Sequence, residues 1–403
     1  MRRQDLFTVK TIHGVITVLH VPLLLVVYAL RPFIKIKFGY LSTSRIGHFV
    51  HDLGYAIVEK NKNKNKNKII LYYLQDVISN EELKIIAKRE LSINQYYRYF
   101  VYAYIALGLQ SQIVSTHRHR KDACGSRDVT GIMSSSTYDI SLLDKENKIS
   151  ELYMRKHGWI KGEKFICINV RDSAFFDESE VSRHAYRNSN IDDYEVVISY
   201  LLNLGYWVVR MGKKVERPSK IKHKKFIDYG MDVNRSDLLD VWFCKNCYFF
   251  ISTGTGLDSV AKVFKNPVLI VNLLPLMSMA SWVDSITIPK RLFWGDGKEL
   301  TLLEHLDNSY TDTNQYKEKG IKVVDLTPDE IKSAAHEMIE RLNKIPLTDK
   351  QIQNQNKFWD IFEHHNLYSK LHGFRDKNAS FGLSFLNNNP DFYLNKQEYS
   401  SRL

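Results

Sequence analysis

Residues 247–264 read CYFFISTGTGLDSVAKVF, which is an apolar run, a loop of small and hydroxyl-bearing residues and a helical pattern in succession. The apolar run at 247–252 predicts a buried strand, and residues 258–264 predict a short helix. The loop between them would present hydroxyls and backbone N–H groups at the start of that helix. The stretch therefore predicts either an anion-binding loop or a plain turn in which Asp258 caps the helix.

Strands and helices alternate on both sides of this stretch. Further strands are predicted at residues 165–170, 206–211, 226–229 and 267–272. Apolar residues recur at helical spacing from 191 to 202 and stop before Gly205, while Ser236 is placed to cap the next helix. Alternating strands and helices predict a parallel sheet with right-handed crossovers, in which ligands bind at the carboxyl ends of the strands.

Polar residues occupy the ends of two of these predicted strands. Arg171 and Asp172 follow the first strand, and Arg210 and Gly212 end the second. Because the carboxyl ends of parallel strands share one edge of the sheet, both arginines are expected beside the loop at 252–256. The planar guanidinium group binds phosphate oxygens in pairs. The sequence therefore predicts an anion site at this edge.

A second strand–loop–helix unit precedes this region. Residues 36–41 predict a strand and residues 49–59 predict a helix, with a glycine-containing loop between them. Gly47 in that loop would let a ligand approach the backbone closely. His48 is a candidate general base, with a structural hydrogen-bonding role as the alternative. Residues 69–109 are expected to be helical, with tyrosines that pack in the core.

The N-terminal region is apolar, and residues 15–30 carry no charge. A membrane-spanning helix needs about 20 apolar residues, so this length is marginal for crossing a bilayer. Basic residues flank the region on both sides, at Arg2, Arg3, Lys10, Arg31, Lys35 and Lys37. The combination predicts a helix that spans an anionic membrane or lies on its surface. A buried core helix and a cleaved signal peptide are the alternatives.

The chain has 403 residues, with 57 lysines and arginines against 45 aspartates and glutamates, a formal net charge of +12. This charge favours an anionic partner. A hydrophobic content of 44% excludes a disordered chain and a polytopic membrane protein, and the length predicts two domains. The basic runs at residues 60–68, 117–121 and 213–225 lack interleaved aromatic residues and nucleic-acid-binding motifs, so no nucleic-acid partner is expected.

Several motifs that carry known chemistry are missing from the sequence. It has no P-loop, no nucleophile-elbow serine motif and no Asp-x-Asp pair. Cys244 and Cys247 have metal-site spacing, but no second ligand pair accompanies them, so packing in the core is expected. The four cysteines of the chain indicate a reducing compartment. Neither a metal ion nor a cofactor is therefore expected.

Seven short stretches of the sequence form an ordered set between residues 38 and 386. They lie at residues 45–48 (RIGH), 170–173 (VRDS), 186–194 (YRNSNIDDY), 209–212 (VRMG), 251–256 (ISTGTG), 288–290 (IPK) and 381–386 (FGLSFL). In this order they resemble a family of GT-B-type glycosyltransferases that are found with bacterial surface-polysaccharide genes.

The resemblance implies an α/β fold with two Rossmann-like domains, an N-terminal apolar helix and a C-terminal helix that crosses back to the first domain. The implied ranges are a membrane-associated segment at 1–34, an acceptor-side domain at 35–158, a nucleotide-sugar-binding domain at 159–350, and the crossing helix and tail at 351–403. The implied activity is metal-independent transfer of a hexosyl or deoxyhexosyl group from a nucleotide-sugar to a glycan or lipid-linked glycan acceptor in surface-polysaccharide synthesis. It would take place at the cytoplasmic face of the inner membrane.

The resemblance, together with the positions of the residues in the predicted sheets, suggests individual roles. For the two candidate bases, position is the only ground. The implied nucleotide-sugar site consists of Arg171, Arg187, Asn188, Ser189, Arg210, Gly212, Ser252, Thr253, Gly254, Thr255 and Gly256. Arg45 and Gly47 would hold the acceptor, and either His48 or Asp172 would remove the proton of its hydroxyl group. Two other functions fit the same pattern, namely a pyruvyl or glycerol-phosphate transferase on this fold and a non-catalytic scaffold at the membrane surface.

Overall fold

The computed structural model of the protein describes residues 3–63, 67–115, 128–175 and 182–393. The chain divides into two compact units. The first unit comprises Met1–Ser126 with Ser135–Ile140, and the second comprises Arg127–Ser134 with Ser141–Leu403. The basic run at 117–121 and Cys124 lie outside the described residues.

The first unit is built on a parallel pair of strands. Its elements are α1 (Arg3–Ala29), β1 (Lys35–Leu41), α2 (Ile46–Asn63), β2 (Lys68–Leu74), α3 (Glu81–Glu90) and α4 (Arg98–Ala106). The β1 and β2 strands pair in register from Lys35 opposite Lys68 to Leu41 opposite Leu74. The predicted strand–loop–helix unit is confirmed. The expectation of helix throughout residues 69–109 is wrong at its start, because the isoleucine- and tyrosine-rich run in β2 forms a strand.

The α1 helix packs on the first unit through one face. Leu24 belongs to a buried cluster with Phe38, Phe100 and Tyr104, and the rings of Phe38 and Phe100 stack at 4.2 Å. Val18 on the opposite face is 68% exposed. Among the described residues, no helix combines the length and the apolar character needed to cross a membrane.

The second unit contains a parallel seven-stranded sheet in the order β11-β8-β7-β6-β3-β4-β5. Its strands are β3 (Phe165–Asn169), β4 (Trp207–Arg210), β5 (Phe226–Ile227), β6 (Phe250–Ser252), β7 (Val268–Leu273), β8 (Ser285–Pro289) and β11 (Ala379–Phe381), with the separate antiparallel pair β9 (Arg291–Phe293) and β10 (Lys322–Val324). Its helices are α5 (Asp144–Lys156), α6 (Glu195–Asn203), α7 (Asp237–Asn246), α8 (Asp258–Val263), α9 (Leu302–Asp307), α10 (Thr313–Glu318), α11 (Pro328–Leu342), α12 (Asp349–His364), α13 (Tyr368–Leu371) and α14 (Leu383–Asn388).

The predicted parallel α/β sheet is confirmed, together with two of its helix boundaries. Gly205 follows α6 with a φ of +89°, a backbone conformation that glycine adopts readily. The Ser236 hydroxyl accepts a hydrogen bond from the Leu239 N–H at the start of α7. The structure adds β8 and β11, which the sequence pattern did not predict.

The C-terminal tail takes part in the second unit's sheet. The short strand β11 pairs with β8, and α12 packs against it through Phe358, whose ring centroid lies 4.5 Å from that of Phe381. The described tail therefore belongs to the second unit. The predicted crossing of a C-terminal helix to the first domain stays a prediction.

The division between the units falls earlier than the predicted boundary at residue 158. The α5 helix belongs to the second unit, because the Tyr153 hydroxyl donates to Asp232 Oδ2 at 2.6 Å and its ring packs against Phe243. The segment Arg127–Ser134 is also part of the second unit. Its Ser134 hydroxyl donates to the Trp282 carbonyl at 3.1 Å.

Replacement of Gly373 by alanine is expected to destabilise the second unit. A methyl group at this position would overlap the carbonyl oxygen of Val129, so the Arg127–Ser134 segment would have to shift. We expect a loss of about 2 kcal/mol, which lowers the thermal unfolding midpoint by about 4–8 °C. Gly14→Ala is the control, since no atom lies within 4 Å of a methyl group there. Equal midpoints for the two variants, measured by calorimetry, would contradict the packing of Gly373 on Val129.

Candidate active site

A pocket of about 420 Å³ opens at the carboxyl edge of the sheet in the second unit. Its lining residues come from segments that are far apart in sequence, namely Val170, Asp172, Ser173, Asn188, Ser189, Asn190, Ile191, Asp193, Glu216, Arg217 and Asp325. The β3 and β4 strands end beside it, as expected for a ligand site in a parallel sheet.

Backbone hydrogen bonds fix the segment that leaves β3. The Arg171 N–H donates to Thr253 Oγ1 at 3.0 Å, and the Ser189 N–H donates to the Arg171 carbonyl at 2.8 Å. The chain after β3 is therefore held between the loop after β6 and the segment at 188–193. This arrangement brings residues 170–173 and 188–193 to the same pocket wall.

Two of the predicted arginines lie beside the pocket. Arg171 Nε donates to Asn188 Oδ1 at 3.2 Å, and the Arg187 guanidinium group donates to the Gly254 carbonyl. Both arginines are partly exposed to solvent. The structure therefore brings together Arg171, Arg187, Asn188 and Ser189, and their role in binding a nucleotide-sugar stays a prediction.

Lys290 is a buried residue that contacts two of the pocket-lining residues. Its side chain is 3% exposed, and its Nζ atom donates to Asp325 Oδ1 at 2.6 Å and to the Asn188 carbonyl. Burial lowers the pKa of this amine, and the nearby Arg171 acts in the same direction against the opposing effect of Asp325. Sequence reasoning assigned Lys290 no role, although it belongs to one of the stretches that carry the family resemblance.

The pocket walls are rich in carboxylates and amides. Burial raises the pKa of the Asp193 carboxyl, and the neighbouring carboxylates of Asp325 and Asp192 raise it further. Glu216 Oε1 accepts from the Ser173 hydroxyl at 2.8 Å, across the mouth of the pocket. Sequence reasoning missed Asp193, Glu216 and Asp325 as pocket residues. The first of these lies in the stretch at 186–194 that carries the family resemblance, and no motif marks the other two.

Asp172 connects two loops at the rim of the pocket. Its Oδ1 accepts from the Ala174 N–H at 3.1 Å, and its Oδ2 accepts from the Glu216 N–H at 2.8 Å. Both oxygens are thus engaged by backbone donors. This geometry favours a positioning role for Asp172 over the predicted role of general base.

The loop after β6 is closed by its own carboxylate. Asp258 Oδ2 accepts from the Ser252 hydroxyl at 2.8 Å and from the Thr255 N–H at 2.6 Å. The Gly254 N–H donates to Ser252 Oγ at 3.1 Å. These donors would have bound a phosphate group in the predicted anion loop. The structure therefore shows the alternative, a turn closed by Asp258, and corrects the expectation for this loop.

Thr253 and Gly256 complete the predicted loop site, one of them buried and the other exposed. Thr253 is 1% exposed and accepts from the backbone of Arg171, so its role is structural. Gly256 is exposed at the outer end of the loop.

Arg210 lies in the core of the second unit, so its predicted role in donor binding is wrong. The side chain is 1% exposed, and its guanidinium group donates to both oxygens of Asp228 at 3.2 Å and to the Arg217 carbonyl at 2.8 Å. The alternation of side chains along β4 directs Arg210 away from the pocket edge and toward Asp228. Gly212 follows with a φ of +150° and is buried in a turn, where a methyl group would meet Val215 Cγ1 at 2.5 Å.

The predicted acceptor residues lie in the first unit, at the start of α2. Arg45 is exposed, Gly47 is buried and His48 is half-buried in the first helical turn. The loop before them is fixed, because the Ser42 N–H donates to the buried Asp52 carboxylate at 2.8 Å. The Thr43 hydroxyl donates to the Val77 carbonyl at 2.6 Å and ties the loop to the chain after β2.

Within the described ranges, no group of three or more His, Cys, Asp or Glu side chains is arranged to hold a metal ion. Cys244 and Cys247 are buried, as expected for core packing.

No protein-family model matches the chain, and no curated protein matches it in sequence. Similar solved structures include the ADP-heptose lipopolysaccharide heptosyltransferase II of E. coli, with 11% identity, a TM-score of 0.43, and coverage of 76% of this chain and 99% of that chain. A glycosyl transferase family 9 protein of Veillonella parvula has 11% identity and a TM-score of 0.40 over 63% and 85% of the two chains.

A third similar structure is the E. coli heptosyltransferase WaaC with ADP, at 10% identity and a TM-score of 0.36 over 77% of this chain and 100% of that chain. At these TM-scores the functional conclusion rests on the residues of this chain.

Replacement of Arg210 by leucine is expected to destabilise the protein without a direct effect on ligand binding. The change leaves the Asp228 carboxylate without its cationic partner, at a cost of about 3 kcal/mol. Arg183→Leu is the control, because Arg183 is 55% exposed in its ion pair with Asp312, and the loss there should stay below about 1 kcal/mol. Urea unfolding measures both variants. An Arg210→Leu protein of unchanged stability would disprove the structural role.

Proposed function

We propose that this protein is a glycosyltransferase that binds a nucleotide-sugar in the pocket at the carboxyl edge of the second unit's sheet. The observation that supports the proposal is that residues far apart in the sequence lie close together in the structure. Three stretches that resemble the glycosyltransferase family, at residues 170–173, 186–194 and 288–290, meet at or directly beneath this one pocket. The pocket also has the chemistry that such a donor requires.

The carboxylates and amides of the pocket suit a ligand with many hydroxyl groups. Asp193, Glu216 and Asp325 offer oxygen acceptors, and Asn188 and Asn190 offer both donors and acceptors. Sugar and ribose hydroxyls can satisfy such groups in pairs. A pyruvyl donor, which has no sugar hydroxyl groups, would leave most of these acceptors without a hydrogen-bond donor. The pocket therefore favours a donor with many hydroxyl groups over a pyruvyl donor.

The diphosphate of the donor would be bound by the arginines at the edge of the pocket. Arg171 and Arg187 lie beside one wall, and Arg217 lines the pocket with its side chain 42% exposed. Their positive charge would stabilise the negative charge that develops on the nucleoside diphosphate as it leaves. In this proposal the arginines supply the electrophilic assistance, and no metal ion is needed.

Transfer itself requires a base on the acceptor side. We propose that His48 removes the proton of the acceptor hydroxyl group while the oxygen of that hydroxyl group attacks the anomeric carbon of the donor sugar. The bond between that carbon and the diphosphate oxygen breaks, and the electron pair leaves with the nucleoside diphosphate. Arg45 and Gly47 would hold the acceptor, a glycan or a lipid-linked glycan of surface-polysaccharide synthesis. We propose the cytoplasmic face of the inner membrane as the location.

Donor binding is expected to depend on Arg171. We expect Arg171→Gln to weaken the affinity for the cognate nucleotide-sugar by about tenfold or more, because one charge-assisted contact to the diphosphate is lost. Isothermal titration with UDP-, GDP-, CDP-, dTDP- and ADP-sugars in the presence of EDTA measures the affinity. Arg183→Gln, an exposed arginine outside the pocket lining, should bind like the wild type. If no donor binds the wild type, or if Arg171→Gln binds equally well, the proposed site is wrong.

The two candidate bases are expected to behave differently. His48→Ala should lower kcat by about 100-fold with unchanged donor affinity, since the donor pocket is lined by the second unit alone. Asp172→Asn should weaken donor binding, because one of its two backbone hydrogen bonds is lost and the loop at the rim loosens. Titration and single-turnover transfer separate the two effects. Near-full transfer by His48→Ala would remove His48 as the base.

A further inference from the structure

The positive charge of the protein is concentrated in the first unit. Met1–Ser126 with Ser135–Ile140 contains 19 lysines and arginines against 9 aspartates and glutamates, a net charge of +10 out of +12 for the whole chain. The second unit, which contains the proposed donor pocket, is therefore close to neutral. Donor binding does not account for this separation of charge, since the donor pocket lies in the unit that carries almost none of it.

The same unit presents an apolar helical face to solvent. On α1, Val18 is 68% exposed and Leu25 is 71% exposed, and these positions lie seven residues apart on the same side of the helix. Exposed side chains of the same kind extend along this outer face at Val15, Leu19, Leu23 and Val26. No charged residue occurs from 15 to 30. A continuous, exposed apolar face of this kind indicates a surface that binds another protein or a membrane.

The inner face of α1 is attached to its own unit along the helix. The His20 ring packs edge-on against Phe100 at 4.9 Å, and Leu24 enters the core cluster with Tyr104. Val21 and Val27 pack against the same cluster. A helix inserted across a bilayer would have to leave α4 and expose these aromatic residues to water. The packing therefore favours a helix that stays on the unit and uses its outer face alone.

Cationic and aromatic residues gather where α1 ends. Arg31 lies over the Tyr28 ring at 3.8 Å, and Phe33 in the following turn is 77% exposed. Lys35 is exposed at the start of β1, whereas Lys68, opposite it in register on β2, is ion-paired with Glu59 at 2.7 Å. Aromatic rings and basic side chains beside an apolar face are the combination found in helices that bind the interface of anionic bilayers.

We propose that the outer face of α1 binds an anionic lipid surface with the helix axis parallel to the membrane plane. The apolar side chains enter the boundary between head groups and acyl chains, and Arg31 and Lys35 beside the end of α1 contact the anionic head groups. A second copy of this chain suits the face less well. Pairing two first units through α1 would bring two bodies of charge +10 together.

Vesicle binding tests whether the partner of this face is an anionic lipid surface. Co-sedimentation uses the full chain with phosphatidylcholine vesicles and with vesicles containing 30 mol% phosphatidylglycerol. We expect binding to the anionic vesicles, reduced by high salt, and a loss of about tenfold or more in the double variant Val18→Asp/Leu25→Asp. The matched control is Ile149→Asp/Leu152→Asp on α5, which replaces side chains of 58% and 56% exposure in the nearly neutral second unit.

Depth measurements test the orientation. An environment-sensitive fluorophore is attached to Val18→Cys or Leu25→Cys in a Cys124→Ser background, and its depth is measured with lipid-borne quenchers. A helix parallel to the surface places both probes at the same depth. A spanning helix places them about 10 Å apart, seven residues at 1.5 Å each. Different depths, equal binding to neutral vesicles, or a concentration-dependent dimer abolished by Val18→Asp/Leu25→Asp would each overturn the proposal.

Nucleotide-sugar titration of the same variants tests donor binding independently of lipid binding. The Val18→Asp/Leu25→Asp protein should bind the donor like the wild type, because the donor pocket is lined by the second unit. Lost vesicle binding with intact donor binding supports the lipid-binding face. Intact vesicle binding together with absent donor binding would reject the glycosyltransferase proposal and leave the membrane proposal standing.

Discussion

The parallel pairing of β3 between β6 and β4 is the constraint on which the second unit depends. All five residues of β3 are buried, so the chain enters and leaves this strand at fixed points. Parallel pairing then sends the following segments to one edge, where Arg171 contacts Asn188 through its guanidinium group and Thr253 through its backbone. The segments that follow these strands form the pocket, and its lining residues come from several separate stretches of the chain.

The second unit contains both buried cations and cations that are partly exposed beside the pocket. Arg210 and Lys290 are buried and matched to Asp228 and Asp325, so their charges serve the framework. Arg171, Arg187 and Arg217 remain partly exposed at the pocket. A carboxylate likewise closes the loop after β6 from within. At these three places a carboxylate of the protein accepts from a buried donor, and such a donor is costly to leave unsatisfied.

Local patterns were sufficient to predict the parallel sheet, because strands such as β3 and β7 are buried throughout and are apolar at all but one position each. Two helices of the second unit also have recognisable ends, at Ser236 and Gly205. The pattern did not reveal β11, a three-residue strand whose pairing with β8 depends on distant packing.

The sequence correctly placed Arg171 at the edge of the sheet, because it directly follows a strand, and a family stretch pointed to Asn188, which lines the pocket. Their roles in binding a nucleotide-sugar stay predictions. Site prediction failed at Arg210, because strand position alone does not say which buried carboxylate a guanidinium group will meet. Asp325 and Glu216 reach the pocket through long-range folding that leaves no local signal in the sequence.

The late position of β11 in the chain has a consequence for biosynthesis. The open side of β8, which ends at Pro289, acquires its partner only when β11, which begins at Ala379, has emerged from the ribosome. Until then β8 is an uncovered edge strand with unsatisfied backbone groups, the kind of template on which nascent chains associate with one another. The first unit, apart from the short segment Ser135–Ile140, is complete much earlier. Its folding can therefore precede closure of the seven-stranded sheet of the second unit.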